Sequence, residues 1–190
     1  MHLLYIERRI KLNNNQSRNL TKSNKIKDMV LTSLLIALVF VATSFIKIRL
    51  PISLNGGLIH MGNSMLFTAA IVFGARKGAA AGAFGMALFD FLSEWAAWTP
   101  FTFIVRGVMG YIIGKVAYLN NKKGFNWAYN LLGIFIGSIW MLVGYYFTEV
   151  ILYGNWIQPF TSIPGNVIQI LIGVVVALPL SAALKRAKLS

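Results

Sequence analysis

The stretch that decides the fold reads Gly78-Ala79-Ala80-Ala81-Gly82-Ala83-Phe84-Gly85-Met86-Ala87-Leu88-Phe89-Asp90-Phe91-Leu92-Ser93-Glu94. From Gly78 to Phe89 it holds no polar side chain, and most of its residues are Gly or Ala. Such a bare helix surface lets backbones approach closely in lipid, where apolar burial alone gives no preference for protein over lipid. Asp90 and Glu94 follow at i, i+4, so they share one face at one end of the helix. The stretch therefore predicts a membrane helix that packs among other helices and carries its charge at a single end.

The rest of the chain agrees. Of its 190 residues, 57% are hydrophobic and 12% charged, and the mean hydropathy is +0.66. Soluble domains carry about 25% charged residues, so a soluble globular fold is excluded. With no Cys, disulfide scaffolds, thiolate metal sites and cysteine nucleophiles are excluded as well. A net charge of +13 would suggest nucleic acid in a soluble protein. Here the cations sit in a tail and in short loops between apolar runs, which is how membrane topology is encoded. No nucleic-acid partner is expected.

Six apolar runs lie at about 29–46, 63–74, 78–93, 100–120, 127–153 and 162–184. The expected fold is all-α: a compact bundle of six transmembrane helices over 29–185. A basic tail (1–28) precedes it and a short basic end (186–190) follows. The tail holds seven of the eighteen Lys and Arg, and its polar run 13–23 reads as flexible. Its apolar start is too short for a signal-peptide core. Crossing a bilayer takes about 20 residues, so the second and third runs must be sheltered by neighbours. Pro100 and Pro164 mark first turns, where the missing N–H is harmless.

Arg76-Lys77, Lys115 with Lys122-Lys123, and Lys185-Arg186-Lys188 fall on the same side as the tail. The positive-inside rule makes that side, and both termini, cytoplasmic. Lys47 and Arg49 are exceptions.

Gly110-x3-Gly114 and Gly133-x3-Gly137 are read as packing pairs within the bundle, whereas Ser33-x3-Ala37 on the first span offers a small stripe for another membrane subunit. Several chemistries are absent. Gly114-Lys115-Val116 lacks the earlier Gly and the Ser/Thr of a phosphate loop. No HExxH, no GxSxG and no pair of His at metal spacing occurs. No catalytic residue, metal or cofactor is expected, and the protein is read as a non-enzyme.

Charge inside a span is costly and marks function or pairing. The spans hold Asp90, Glu94, Arg106 and Glu149. Arg106 lies roughly 9 Å below the outer end of its span, at about 1.5 Å per residue. The antiparallel hairpin thus brings it level with Asp90, and a structural ion pair between them is expected. The candidate substrate-binding residues are Glu94, Trp98, Tyr146, Glu149, Asn166, Gln169, His60 and Asn63. Tyr145 and Tyr153 lie one turn either side of Glu149 on its face. All these polar groups fall in the outer half of the spans. A channel or proton path would need them through the full depth. The pattern fits a pocket open to the outside for a small ring compound, stacked on aromatics and hydrogen-bonded at its rim.

Within 62–114, Gly62-Asn63-Ser64, Phe73-Gly74-Ala75-Arg76-Lys77-Gly78-Ala79, the 83–93 run, Trp98-Thr99-Pro100-Phe101-Thr102 and Arg106-Gly107-Val108-Met109-Gly110 resemble the substrate-binding S components of energy-coupling factor (ECF) vitamin transporters. The branch assigned to pyridoxine or hydroxymethylpyrimidine is the most similar. The resemblance implies a multi-pass subunit of a bacterial plasma membrane that captures a vitamin from outside. It also implies partners: a transmembrane coupling subunit, docked through small residues of the first helix, and two ATPase subunits. Ser33-x3-Ala37 stands where the family has Ala-x3-Ala. The loop 47–62 would then be a lid, with Asn55-Gly56-Gly57 as its hinge or as a plain turn. Another B vitamin (riboflavin or thiamine), or a stand-alone proton-coupled transporter using Asp90 or Glu149, remains open from the residues alone.

Overall fold

Proline, asparagine and glycine set the helix limits. Pro100 and Pro164 occupy the first turns of two helices. The Asn126 side chain accepts from the Ala128 and Tyr129 backbone N–H groups and caps a third, satisfying donors that a helix start leaves open. A computed structural model describes the backbone of residues 2–49 and 58–187, with side chains from 22–48 and 58–187. In chain order it contains α1 (His2–Phe45), β1 (Lys47–Arg49), β2 (Leu58–His60), α2 (Gly62–Phe73), α3 (Ala75–Phe91), α4 (Thr99–Ala117), α5 (Trp127–Tyr153) and α6 (Ile163–Arg186). The all-α, six-helix expectation holds.

Two features depart from expectation. The polar run 13–23 continues α1 instead of forming an irregular tail. Once a helix is nucleated, each added residue gains a hydrogen bond without a new nucleation cost. The first connection also forms a short antiparallel hairpin, with Lys47 opposite His60 and Ile48 opposite Ile59. Residues 55–57, read as a hinge or turn, lie outside the described residues.

The chain divides into two units, 1–34 and 35–190. The first holds Ser33, which is exposed. The second holds the rest of the fold. At its centre is α2, with ten of its twelve residues buried. Twelve residues span only about 18 Å at 1.5 Å each, and this helix is enclosed by α3, α4 and α6. Among the described residues, four helical stretches are long and apolar enough to cross a membrane: Lys22–Phe45, Ala96–Ala117, Trp127–Tyr153 and Gln158–Arg186. Large apolar side chains such as Phe135, Ile139, Phe147, Leu171 and Val175 point outward, as lipid-facing surface does.

The small residues of α3 do what their spacing predicts. A Cβ on Gly78 would lie 2.6 Å from the Ala70 Cβ, and one on Gly82 would lie 2.6 Å from the Arg106 carbonyl oxygen. A Cβ on Gly85 would lie 2.8 Å from the Ile36 carbonyl oxygen and from the Val39 Cβ, both of α1. On α5, a Cβ on Gly133 would lie 2.9 Å from the Ile113 carbonyl oxygen of α4, and one on Gly137 2.9 Å from the Ile113 Cγ1. Gly74 turns the chain from α2 into α3 at φ 85°, a conformation that favours glycine. The α2 end beside that turn is closed by two donors on the Val72 carbonyl: the Tyr118 hydroxyl at 2.7 Å and the Lys185 ammonium at 2.8 Å. A last-turn carbonyl without a helical partner is thereby satisfied.

Gly82→Val should lower the thermal midpoint in detergent sharply, since overpacking a close helix contact costs about 1–3 kcal/mol or more. Gly154→Ala, at φ 65° with nothing within 4 Å of the added methyl, should cost only about 1 kcal/mol of backbone strain. Equal shifts in the two variants would contradict close α3–α4 packing.

Candidate functional site

One cavity gathers the polar ends of five elements, with a volume of about 100 Å³. β2 contributes Leu58 and His60, α3 contributes Phe89 and Asp90, and the turn before α4 contributes Trp95 and Trp98. Thr102 and Arg106 come from α4, and Tyr145 and Glu149 from α5. Ser162, Gly165, Asn166 and Gln169 complete the wall from the start of α6. In α4, α5 and α6 the contributing residues recur every three or four positions, so each helix turns one face inward.

Arg106 anchors the floor and is 3% exposed. Its Nε donates to the Tyr145 hydroxyl at 2.9 Å and its Nη2 to the Gln169 Oε1 at 3.1 Å, while its Nη1 donates to the Asn63 Oδ1. The same Nη1 lies 3.0 Å from the Met141 sulfur. Asn63 Nδ2 donates in turn to Gln169 Oε1 at 3.4 Å. One guanidinium therefore ties α4 to α2, α5 and α6. A buried cation needs such complete bonding, because leaving it unpaired costs several kcal/mol.

Asp90 and Arg106 reach the same depth, as expected, but the direct ion pair is replaced by a relay. The guanidinium bonds run to Tyr145, Asn63 and Gln169. The Tyr145 hydroxyl lies 3.2 Å from the Thr102 hydroxyl, and Thr102 is within hydrogen-bonding reach of the Asp90 carboxylate. The physical reason is shape. Tyr145 lays its ring against the guanidinium, 4.9 Å from ring centre to Cζ, and its hydroxyl accepts the hydrogen bond from Nε–H.

His60 is 9% exposed, and the Gly62 backbone N–H donates to its Nδ1 at 3.2 Å. Nδ1 is thus an acceptor, and the neutral ring carries its proton on Nε2. Burial first, then the positive charges of Arg106 and Lys47, push its pKa down from 6.5 to about 3. Gln169 also holds the cover: its Nε2 donates to the Leu58 carbonyl at 3.2 Å, fastening β2 to α6. On the far wall Glu149, 3% exposed, accepts a 2.8 Å bond from the Ser162 hydroxyl on its Oε2. The aromatic side is formed by Trp98, with ring centres 5.9 Å from Tyr145, 5.8 Å from Trp95 and 6.2 Å from Tyr153.

Of the residues proposed from sequence, His60, Trp98, Glu149, Asn166 and Gln169 line the cavity. Asn63 stands behind it, bonded to Arg106 and Gln169. Glu94 does not join it: it is exposed in the turn after α3, one turn beyond the end of the buried face. Tyr146 is also elsewhere. Its hydroxyl donates to the Trp156 carbonyl at 2.9 Å and its ring meets Phe160 edge-on at 5.3 Å. A helix advances 100° per residue, so Tyr145, four before Glu149, takes the inward face instead. Thr102, Phe89 and Ser162 were missed as lining residues. Thr102 is four before Arg106 and Ser162 is four before Asn166, and that spacing was their available signal.

The sequence model of the ECF-type riboflavin transporter S component family matches residues 23–186. The chain belongs to this family. It is thus a transporter component and a multi-pass membrane protein. Two curated relatives agree in extent. An uncharacterized protein from Pyrococcus woesei is 29% identical over 146 residues, 77% of this chain and 95% of the relative. The thiamine precursor transporter HmpT of Lactococcus lactis subsp. cremoris is 27% identical over 167 residues, 88% and 93% of the two chains.

In this S component Arg106→Lys should lose folded yield and about 3 kcal/mol or more of stability, since Asn63, Gln169 and Tyr145 lose their shared donor. Wild-type stability in a detergent melt would refute the anchor. For His60, the unfolded ring takes a proton below pH 6.5 and the folded ring only near pH 3. Stability should therefore fall as pH drops from 6.5 toward 3. His60→Asn, which still offers Gly62 an acceptor, should flatten that part of the curve; an unchanged slope would contradict the neutral imidazole.

Proposed function

We propose that this chain is the substrate-capture subunit of an ATP-driven ECF importer and that its ligand is a small pyrimidine precursor of thiamine, hydroxymethylpyrimidine. The observation that carries the reading is the one-ended cavity. Its walls come from the ends of helices opposite the basic connections at 76–77, 115–123 and 185–186. With those connections cytoplasmic, by the excess of Lys and Arg, both termini are inside and the cavity faces out. Beneath it Phe67, Ile71, Met109, Ile113 and Ala177 are fully buried, an apolar layer that gives a polar ligand no route inward.

Capture without passage requires partners. The membrane bundle would seat against a transmembrane coupling subunit driven by two ATPases, docking through Ser33 and Ala37 of α1. Both are exposed, and small residues favour close helix contact in lipid. The compact cavity suits a single six-membered ring packed against the aromatic side formed by Trp98 and Tyr145, with His60 Nε2–H, Asn166 and Glu149 meeting its polar substituents. The named specificity of HmpT for a thiamine precursor supports hydroxymethylpyrimidine over pyridoxine.

Purified protein should bind hydroxymethylpyrimidine at submicromolar concentration, read as a change in Trp fluorescence from Trp95 and Trp98. Absence of a response to any B vitamin or precursor would overturn the assignment. Ala37→Trp should abolish uptake in cells carrying the ECF module while leaving binding by the purified chain unchanged. Undiminished uptake would move the docking face elsewhere.

A further inference from the structure

We infer that Glu149 is the specificity-determining residue of the cavity, reading the amidine edge (–N=C–NH2) of a 4-aminopyrimidine; this rests on the proposed capture function. The argument is one of hydrogen-bonding capacity. Arg106, Asn63, Gln169, Tyr145 and Thr102 bond to one another, so most of the polar floor is already committed. Glu149 is different. Among the described residues the structure gives it one hydrogen bond, from the Ser162 hydroxyl to Oε2, and no ion pair. It is nonetheless 97% removed from solvent, at 3% exposure, and it lines the cavity.

A carboxyl group has acceptor sites on both oxygens and can carry one donor proton. With a single hydrogen-bond partner, it keeps Oε1 and part of Oε2 open to the cavity, where water or a ligand can bond them. The complement must present two adjacent polar atoms in one plane, because the two carboxyl oxygens are coplanar. An amidine edge does so: the exocyclic amine donates to one oxygen, while the ring nitrogen shares a proton with the other. Whether that proton starts on the acid or on the ring, the count is the same and two bonds form. A pyridine carrying only hydroxyl and hydroxymethyl groups has no such edge, since its ring nitrogen stands without a neighbouring amine. Ser162 serves as a positioning residue. Standing at the N-terminal boundary of α6, it fixes the carboxyl plane through Oε2 and turns Oε1 to the ligand.

The test is a ligand-preference ratio in the purified full-length chain, by calorimetry or Trp fluorescence. The probes are 4-amino-5-hydroxymethyl-2-methylpyrimidine, its 4-oxo analogue and pyridoxine. Wild type should prefer the amino compound to the 4-oxo analogue by about 100-fold or more, as sites built to bond a polar group discriminate strongly against its loss. In Glu149→Met that ratio should fall to within about threefold of unity, the two bonds being gone. Glu149→Gln, whose amide can pair through one donor and one acceptor with either the amidine or the 4-oxo lactam edge, should bind both pyrimidines with a ratio near unity. Melting temperature measured alongside separates folding from recognition. A ratio unchanged in Glu149→Met, or equal weakening toward both pyrimidines, would overturn the role of Glu149 while leaving the capture function standing. Failure of the wild type to bind any of the three would overturn both.

Discussion

The buried guanidinium of Arg106 is the constraint on which the rest of this protein is arranged. A fixed positive charge at membrane depth is tolerated only when each face of it is met, and three neutral side chains from three other helices meet it. That requirement fixes the relative register of α2, α4, α5 and α6 near one end of the bundle. It also sets the limit of the cavity. Above the Arg106 layer lie carboxyls, hydroxyls and aromatic rings; below it Phe67, Met109 and Ile113 pack without exposure. Because Arg106 and Gln169 share a bond and Gln169 holds Leu58, the floor and the strand beside the mouth belong to one network.

That network depends on helices standing closer than ordinary side chains permit. Gly82 lies against the carbonyl of Arg106 itself, so the residue that lets α3 approach α4 also sets where the arginine begins. Asp90, a little over two turns further along α3, is carried into reach of Thr102 by the same approach. The bare surface of α3 and the polar floor are thus two results of one piece of geometry. At the opposite end, Lys185 and Tyr118 satisfy the buried carbonyl of Val72 and finish α2 where it is too short to cross a bilayer.

Much of this was legible in the chain. Apolar runs, prolines in first turns and glycine spacing gave six helices and, except for the start of α1, their limits to within a few residues. The common end of the polar groups was visible because charge in a span is rare enough to be counted. What the sequence could not show was which face wins when neighbours compete. Tyr145 and Tyr146 are adjacent and chemically alike, and only the 100° step from Glu149 separates an inward from an outward ring. Glu94 failed for a related reason, because the helix ends at Phe91 and the residues beyond no longer keep its face. Arg106 pairs with neutral groups because Asn63 and Gln169, 106 positions apart in the chain, converge on it, and no local spacing encodes that convergence.

The central claim is that polar space opens at one end of the bundle and stops at the Arg106 layer. The chain has no cysteine, so single introduced thiols report access directly. With a membrane-impermeant maleimide, Asn166→Cys should react in right-side-out vesicles and stay unreacted in inside-out ones, while Ala177→Cys should be inert in both. Labelling of Ala177→Cys from either side, or of Asn166→Cys from the cytoplasmic side, would contradict a cavity closed at its floor.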